Sequence, residues 1–156
     1  MLKKLILFVA LPLPILVFLF LKFFGKNEFE VPVYWSAGVD RKVPECHRYP
    51  VPYVLPDSAL NAWGWTGAKA TLIVLNDDGI QKNLAHVADL FDEGDYATVK
   101  ISDAPYDVKT CLLLAGDTSR VVLVDDKKRI RGYYTPITRK ETDRLEVELR
   151  ILLKQY

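Results

Sequence analysis

From residue 70 onward, apolar positions alternate between two spacings. The β-branched run "ATLIVLN" (70–76) reads as a strand and stops at Asn76-Asp77-Asp78-Gly79. Over about 79–92 the apolar residues Ile80, Leu84, Val87 and Phe91 fall on one helical face, and Asp92-Glu93-Gly94 ends that pattern. "YATVKISD" (96–103) alternates and predicts a second strand. "TCLLLAG" (110–116) is too short to choose between a strand and the last turn of a helix. "RVVLVDD" (120–126), a turn at Asp126-Lys127-Lys128, and "RIRGYYT" (129–135) predict a hairpin. Thr138-Arg139-Lys140-Glu141 has the form of a capping box. It opens a helix with Leu145, Leu149, Leu152 and Leu153 on one face and a Glu146–Arg150 pair on the other. The order β-α-β, linker, hairpin, helix predicts an α/β, thioredoxin-like domain, a central mixed sheet with helices on both faces, over residues 68–156.

The chain upstream reads differently. Residues 26–67 form a Pro-rich lead-in. "FEVPVYW" (29–35) predicts a short edge strand, because Pro32 cannot donate in a central ladder. Pro44, Pro50, Pro52 and Pro56 imply extended, turn-rich chain. Trp63 and Trp65 flank Gly64; packing is the ordinary reading of such aromatics and a ligand platform the less common one.

Residues 1–25 change the picture most. Leu5 to Leu21 carries no charge, with Lys3 and Lys4 before it and Lys22 after it. At ~1.5 Å per residue this stretch spans ~26 Å of the ~30 Å hydrocarbon core, and a snorkelling Lys22 lets Phe23 and Phe24 extend it. Pro12 and Pro14 are tolerated in a lipid helix but kink it. A cleaved signal peptide is the competing reading. It calls for a shorter apolar region and a small-x-small site, which this sequence lacks. The features predict one uncleaved transmembrane helix, with the membrane as a partner. The flanking lysines nearly tie, so charge alone leaves its orientation open.

A formal net charge of +1 over 156 residues gives no global field for nucleic acid. The strand–helix turn at 76–82, where many α/β proteins place a reactive group, has no Cys, Ser or His and no phosphate-binding glycine pattern. No catalytic, cofactor-binding or metal-binding residue is assigned, and no cofactor is expected. Asp77 and Asp78 suit water or capping of the following helix. D-x-D-x-D, which calcium would need, is absent. His86 reads as a partly exposed helix residue. Lys127, Lys128, Arg129 and Arg131 read as a solvated basic turn, with contact to anionic lipid or an acidic partner as the minor alternative.

Two cysteines, Cys46 and Cys111, are the disulfide or redox candidates. Three readings stay open. They are unconnected buried thiols; or a disulfide tying the lead-in to the domain, worth roughly 4 kcal/mol in the chain-entropy picture; or, with His47, a displaced metal or redox site. The last is weakly signalled, since metal geometry normally takes three or four ligands.

The segment "VVLVDDKKRIRGYYTPITRKETDRLEVELRILL" resembles the C-terminal part of the Sco/SenC family. The matching features are Val124-Asp125, Arg131-Gly132-Tyr133-Tyr134 and the leucines from Leu145 to Leu153. The resemblance is good over 119–153 and extends over 68–155. It implies a membrane-anchored thioredoxin fold on the periplasmic side of a bacterial inner membrane, in a family that helps deliver copper to cytochrome oxidase. The family's C-x-x-x-C would fall at 76–82, where this chain has no thiol. The family's His would fall near Asp117-Thr118-Ser119-Arg120, where this chain has none. Without soft ligands there, copper chemistry does not carry over. The expectation is a non-catalytic, membrane-tethered protein that binds an unidentified protein partner in envelope or respiratory oxidase assembly. The alternative is a thiol-disulfide oxidoreductase or copper carrier that uses Cys46 and Cys111.

Overall fold

The computed structural model describes residues 12–24, 30–40, 46, 49–92, 94–101 and 104–154. Its elements are α1 (Pro12–Phe24), α2 (Asp57–Ala62), β1 (Ala70–Val74), α3 (Gln81–Ala88), β2 (Ala97–Lys100), a π-helical turn (Val108–Leu112), β3 (Val121–Asp125), β4 (Ile130–Tyr134) and α4 (Arg139–Leu153). One four-stranded mixed sheet has the order β2-β1-β3-β4. β1 runs parallel to β2; the β1–β3 and β3–β4 pairs are antiparallel.

The two central strands, β1 and β3, are buried at every position, as near-continuous apolar runs require. β2, at one edge, alternates between half-buried and exposed. On one face, Leu72, Val74, Val121, Leu123 and Tyr134 pack under Val87 of α3 and Leu145, Leu149 and Leu153 of α4. The helix start at Thr138 forms one half of the expected capping box: the Thr138 hydroxyl accepts from Glu141 N at 3.4 Å. The Glu141 carboxylate lies 3.6 Å from Arg144. The expected Glu146–Arg150 pair closes at 3.0 Å.

Among the described residues, the opposite face has no long helix. Ile73, Leu75, Val122, Val124 and Ile130 pack against Tyr53, Leu55 and Leu60 of the lead-in and against Leu113, Leu114 and Ala115. The lead-in thus supplies core. It also closes the β4 edge, where Tyr34 N donates to Ile130 O (2.9 Å) and Leu55 N to Lys128 O (2.9 Å). Residues 30–35 form no strand; Pro32 lacks a donor and residues 34–37 turn away. The apolar run at 110–116 belongs to the π-helical turn and its exit.

Gly132 is fixed by close approach. A Cβ there would lie 2.2 Å from the Tyr134 hydroxyl, because that ring folds back over the glycine. The hydroxyl goes on to donate to Glu148 Oε2 of α4 at 2.5 Å.

α1 covers the thirteen residues from Pro12, about 20 Å at 1.5 Å each. Residues 1–11, including Lys3, Lys4 and the first apolar residues of the expected span, lie outside the described residues. Among the described residues, no helix is long and apolar enough to cross a membrane.

Candidate functional site

The strand–helix turn is built from short polar side chains. Asn76 Oδ1 accepts from Asp78 N (2.7 Å), an Asx-type closure, and Gly79 turns the chain at φ +71°. The helix then starts at Ile80, whose side chain caps nothing. Of the two expected roles, water or capping, Asp77 and Asp78 do not take capping of α3, because they lie ahead of its first turn. Asp77 instead lies 3.5 Å from Lys100 of β2, with both side chains well exposed. Arg120 Nη1 donates to Asn76 Oδ1 at 2.9 Å. The turn at 76–82 and the loop at 117–120 are thus neighbours in space. At their meeting point stand an amide and a guanidinium, which offer neither a nucleophile nor a soft metal ligand.

Cys46 and Cys111, 65 residues apart in sequence, form a disulfide with Cα atoms 5.4 Å apart. Cys111 belongs to the π-helical turn and is 7% exposed; Cys46 is half-buried. The carbonyls that leave this turn are satisfied by aromatic hydroxyls. Tyr53 Oη donates to Leu112 O (2.7 Å) and Tyr133 Oη to Leu113 O (2.9 Å), while Trp35 Nε1 donates to Tyr133 Oη (2.8 Å). Burial, with Tyr49 adding a smaller effect, pushes the Tyr53 hydroxyl well above its ordinary range, so it stays a donor. Bridge and hydroxyls together fasten the lead-in to the turn. Trp65, which the sequence leaves between packing and ligand platform, packs partly buried against the same cluster, as does Trp63. His47 lies outside the described residues, and His86 is exposed on α3. Among the described residues, no group of three or more His, Cys, Asp or Glu side chains is placed to hold a metal ion.

The basic hairpin is not a solvated turn throughout. Asp125, 2% exposed, accepts from Lys127 N (3.0 Å) and Arg129 N (2.9 Å) through Oδ1, and pairs through Oδ2 with Arg129 (2.7 Å) and buried Arg131 (3.2 Å). Arg131 also donates to Val31 O, and Lys128 pairs with Asp57. The strand periodicity buries β3 but gives no sign that its last residue, an aspartate, is buried with it. The partner of that charge, Arg131, is six residues on in an adjacent strand.

A second feature escaped the sequence. Between α3 and the β2 edge lies a groove of about 270 Å³. Leu72 and Thr98 floor it, Leu84, Ala85 and Ala88 of α3 wall it, and Tyr96 closes one end. α3 presents the small side chains of Ala85 and Ala88 to it, together with Leu84 and Gln81, and Asp77 and Lys100 also line it. Neither family models, nor curated proteins, nor solved structures give a match to this chain.

Proposed function

We propose that this chain is a membrane-tethered, thioredoxin-like domain that binds a protein partner, without thiol or metal chemistry, in envelope or respiratory oxidase assembly. The residues before Gly25 are its single-span anchor, and the domain lies on the periplasmic side of a bacterial inner membrane. The observation that carries this reading is where the sulfur is. The strand–helix turn holds Asn76, Asp77 and Asp78, while both cysteines of the chain are joined in a bridge that pins the lead-in to the core. A β-α-β unit followed by a hairpin and a helix supports the thioredoxin-like plan. A disulfide supports an oxidising compartment.

The contrasting reading, an oxidoreductase or copper carrier using Cys46 and Cys111, draws support only from the partial exposure of Cys46. Against it, a thiolate expelled from Cys111 would form in buried surroundings, which disfavour that charge and slow exchange. The test is a Cu(I) titration of the reduced full chain against a competing chelator, alongside a redox titration. The expected result is binding no tighter than to an unrelated dithiol and a potential below about −300 mV. A one-to-one copper complex that vanishes in Cys46→Ser, or a bridge that cycles at mild potential, would overturn the reading.

A further inference from the structure

We infer that the hairpin end of the domain lies on the headgroup layer of the membrane that holds the anchor, with Trp63, Trp65, Lys69, Lys127 and Lys128 as its contact surface. This goes beyond the proposed function and rests on it for the anchor.

The tether fixes which end is near. α1 ends at Phe24, and the lead-in is already tied down at Val31, whose carbonyl accepts from Arg131, and at Tyr34, whose amide donates to Ile130 O. Six residue steps separate Phe24 from Glu30, at most about 22 Å of fully extended chain. Ile130 and Arg131 open β4, directly after the turn that Lys128 N closes on Asp125 O. The strand register sets Ala70 beside Asp125, so Lys69 stands at this same end. Val74 pairs with Val121 at the other end. The turn beyond it, with Asn76 and Arg120, is about 20 Å away along β1 at ~3.3 Å per residue.

The side chains of this end suit a membrane interface. Leu55 N donates to Lys128 O, which brings Val54 and α2 to the hairpin, and the Lys128 ammonium lies 5.8 Å from the centre of the Trp65 ring. Trp63 and Trp65 are half-buried, while Val54, Lys69 and Lys127 are exposed. Indole rings with one wet side, and lysines on long apolar stems, settle at headgroup level. The formal charges nearly cancel. Asp57 pairs with Lys128, Asp125 with Arg129 and Arg131, and Asp126 is exposed beside Lys127. Attraction to anionic lipid is therefore not what holds this end; the short tether and the tryptophan–lysine set act on zwitterionic headgroups as well. The parallel β1–β2 pair returns α3 towards this end and brings Asp89 and Asp92 to its β2 side. Those carboxylates repel phosphate, so the contact stays on the hairpin side.

The test is paramagnetic broadening of amide signals in the full chain, held in phosphatidylcholine nanodiscs with a nitroxide on a fraction of the headgroups. The amides of Lys69, Lys127 and Lys128 are expected to broaden strongly, and those of Asn76, Asp78 and Arg120 to stay sharp. The Trp63→Ala, Lys69→Glu, Lys127→Glu variant should lose most of the broadening at Lys128, with unchanged shifts at Leu145 and Leu149 showing that it remains folded. Equal broadening at both ends, or stronger broadening at residues 76–78, would overturn the inference. So would undiminished broadening in the variant, since the tether alone would then keep this end near the bilayer. Alkaline carbonate extraction separates the two readings. A chain washed out of the membrane defeats the anchor and the orientation together; a retained chain with equal broadening at both ends defeats the orientation alone.

Discussion

The two faces of the sheet are covered by opposite means. On one, α3 and α4 pack helical stripes spaced by the helix period, and the contacts come from segments whose conformation is set locally. On the other, an irregular lead-in reaches the sheet across long sequence separations. A disulfide, the hydroxyls of Tyr53 and Tyr133, and the Arg131–Val31 contact hold it there. A segment whose regular structure is one six-residue helix, Asp57–Ala62, gains little from local structure and must offset its ordering entropy with long-range ties. One face therefore depends on periodicity, the other on a few specific bonds.

Removing the bridge sharpens that contrast most. Cys46→Ala with Cys111→Ala is expected to cost roughly 4 kcal/mol by the chain-entropy argument for a loop of this length. Chemical denaturation measures the loss. Native-state hydrogen exchange locates it: amides of Tyr53 and Leu55 should exchange through new local openings, while those of Leu145 and Leu149 follow only the global stability. Equal local opening on both faces would break the comparison.

Asp125→Asn is next. The amide oxygen still accepts from the turn, but buried Arg131 loses its counter-charge, and leaving a buried charge unpaired costs roughly 3 kcal/mol. Adding Arg131→Met should recover much of that, since the cost lies in the unpaired charge. If the double variant is as unstable as the single, the pair is not the unit that matters.

These effects follow what the sequence made legible. Strands β1, β3 and β4, the hairpin, and α4 with its Thr138 start were readable because apolar period and cap chemistry are local. Their bounds were less so: α3 ends at Ala88 instead of near residue 92, β2 covers Ala97–Lys100 of the expected 96–103, and β1 stops at Val74 instead of residue 76. The lead-in was readable as Pro-rich but not as core. Tyr53, Leu55 and Leu60 have no period among the prolines, and only the folded chain shows the sheet face they fill. The cysteine pair was one of three open readings, since sequence separation says nothing about proximity. The bonds of Asn76 to Arg120 and of Asp125 to Arg131, and the groove over β2, depend on strand register and helix placement, which no short window contains.

Tyr53→Phe and Tyr134→Phe probe one hydroxyl on each face. Tyr53→Phe leaves Leu112 O without its donor and is expected to cost about 1–2 kcal/mol. Both hydroxyls ionise less readily in the fold than the ordinary 10.0, first because they are buried and, for Tyr134, also because Glu148 accepts its hydrogen bond and its negative charge opposes a phenolate. A raised value means that the folded chain keeps protons that the unfolded chain gives up. This stabilisation is complete below pH 10.0 and drains away as pH rises above it. Denaturation midpoints measured from neutral to alkaline pH should fall steeply above that value, and less steeply in either variant. An unchanged slope in Tyr53→Phe would mean that the lead-in face opens before its tyrosine titrates.

The smallest effect is expected at the turn where the resemblance would place a reactive centre. Asp77→Asn with Asp78→Asn removes two carboxylates, yet neither caps α3, and the contact of Asp77 with Lys100 is long and exposed. The bonds that shape the turn come from Asn76, and Gly79 supplies the backbone angle; both remain. Exposed ion pairs of this kind contribute between nothing and about 1 kcal/mol, so stability should change by no more than about 0.5 kcal/mol. The same variant should keep wild-type behaviour in the Cu(I) titration, because hard carboxylate oxygens do not compete for that ion. Denaturation and the titration together separate the outcomes. A loss of stability well beyond this bound would show that the turn supports α3 through contacts other than caps. Unchanged stability with an altered titration would mark Asp77 and Asp78 as a carboxylate site and not merely a turn.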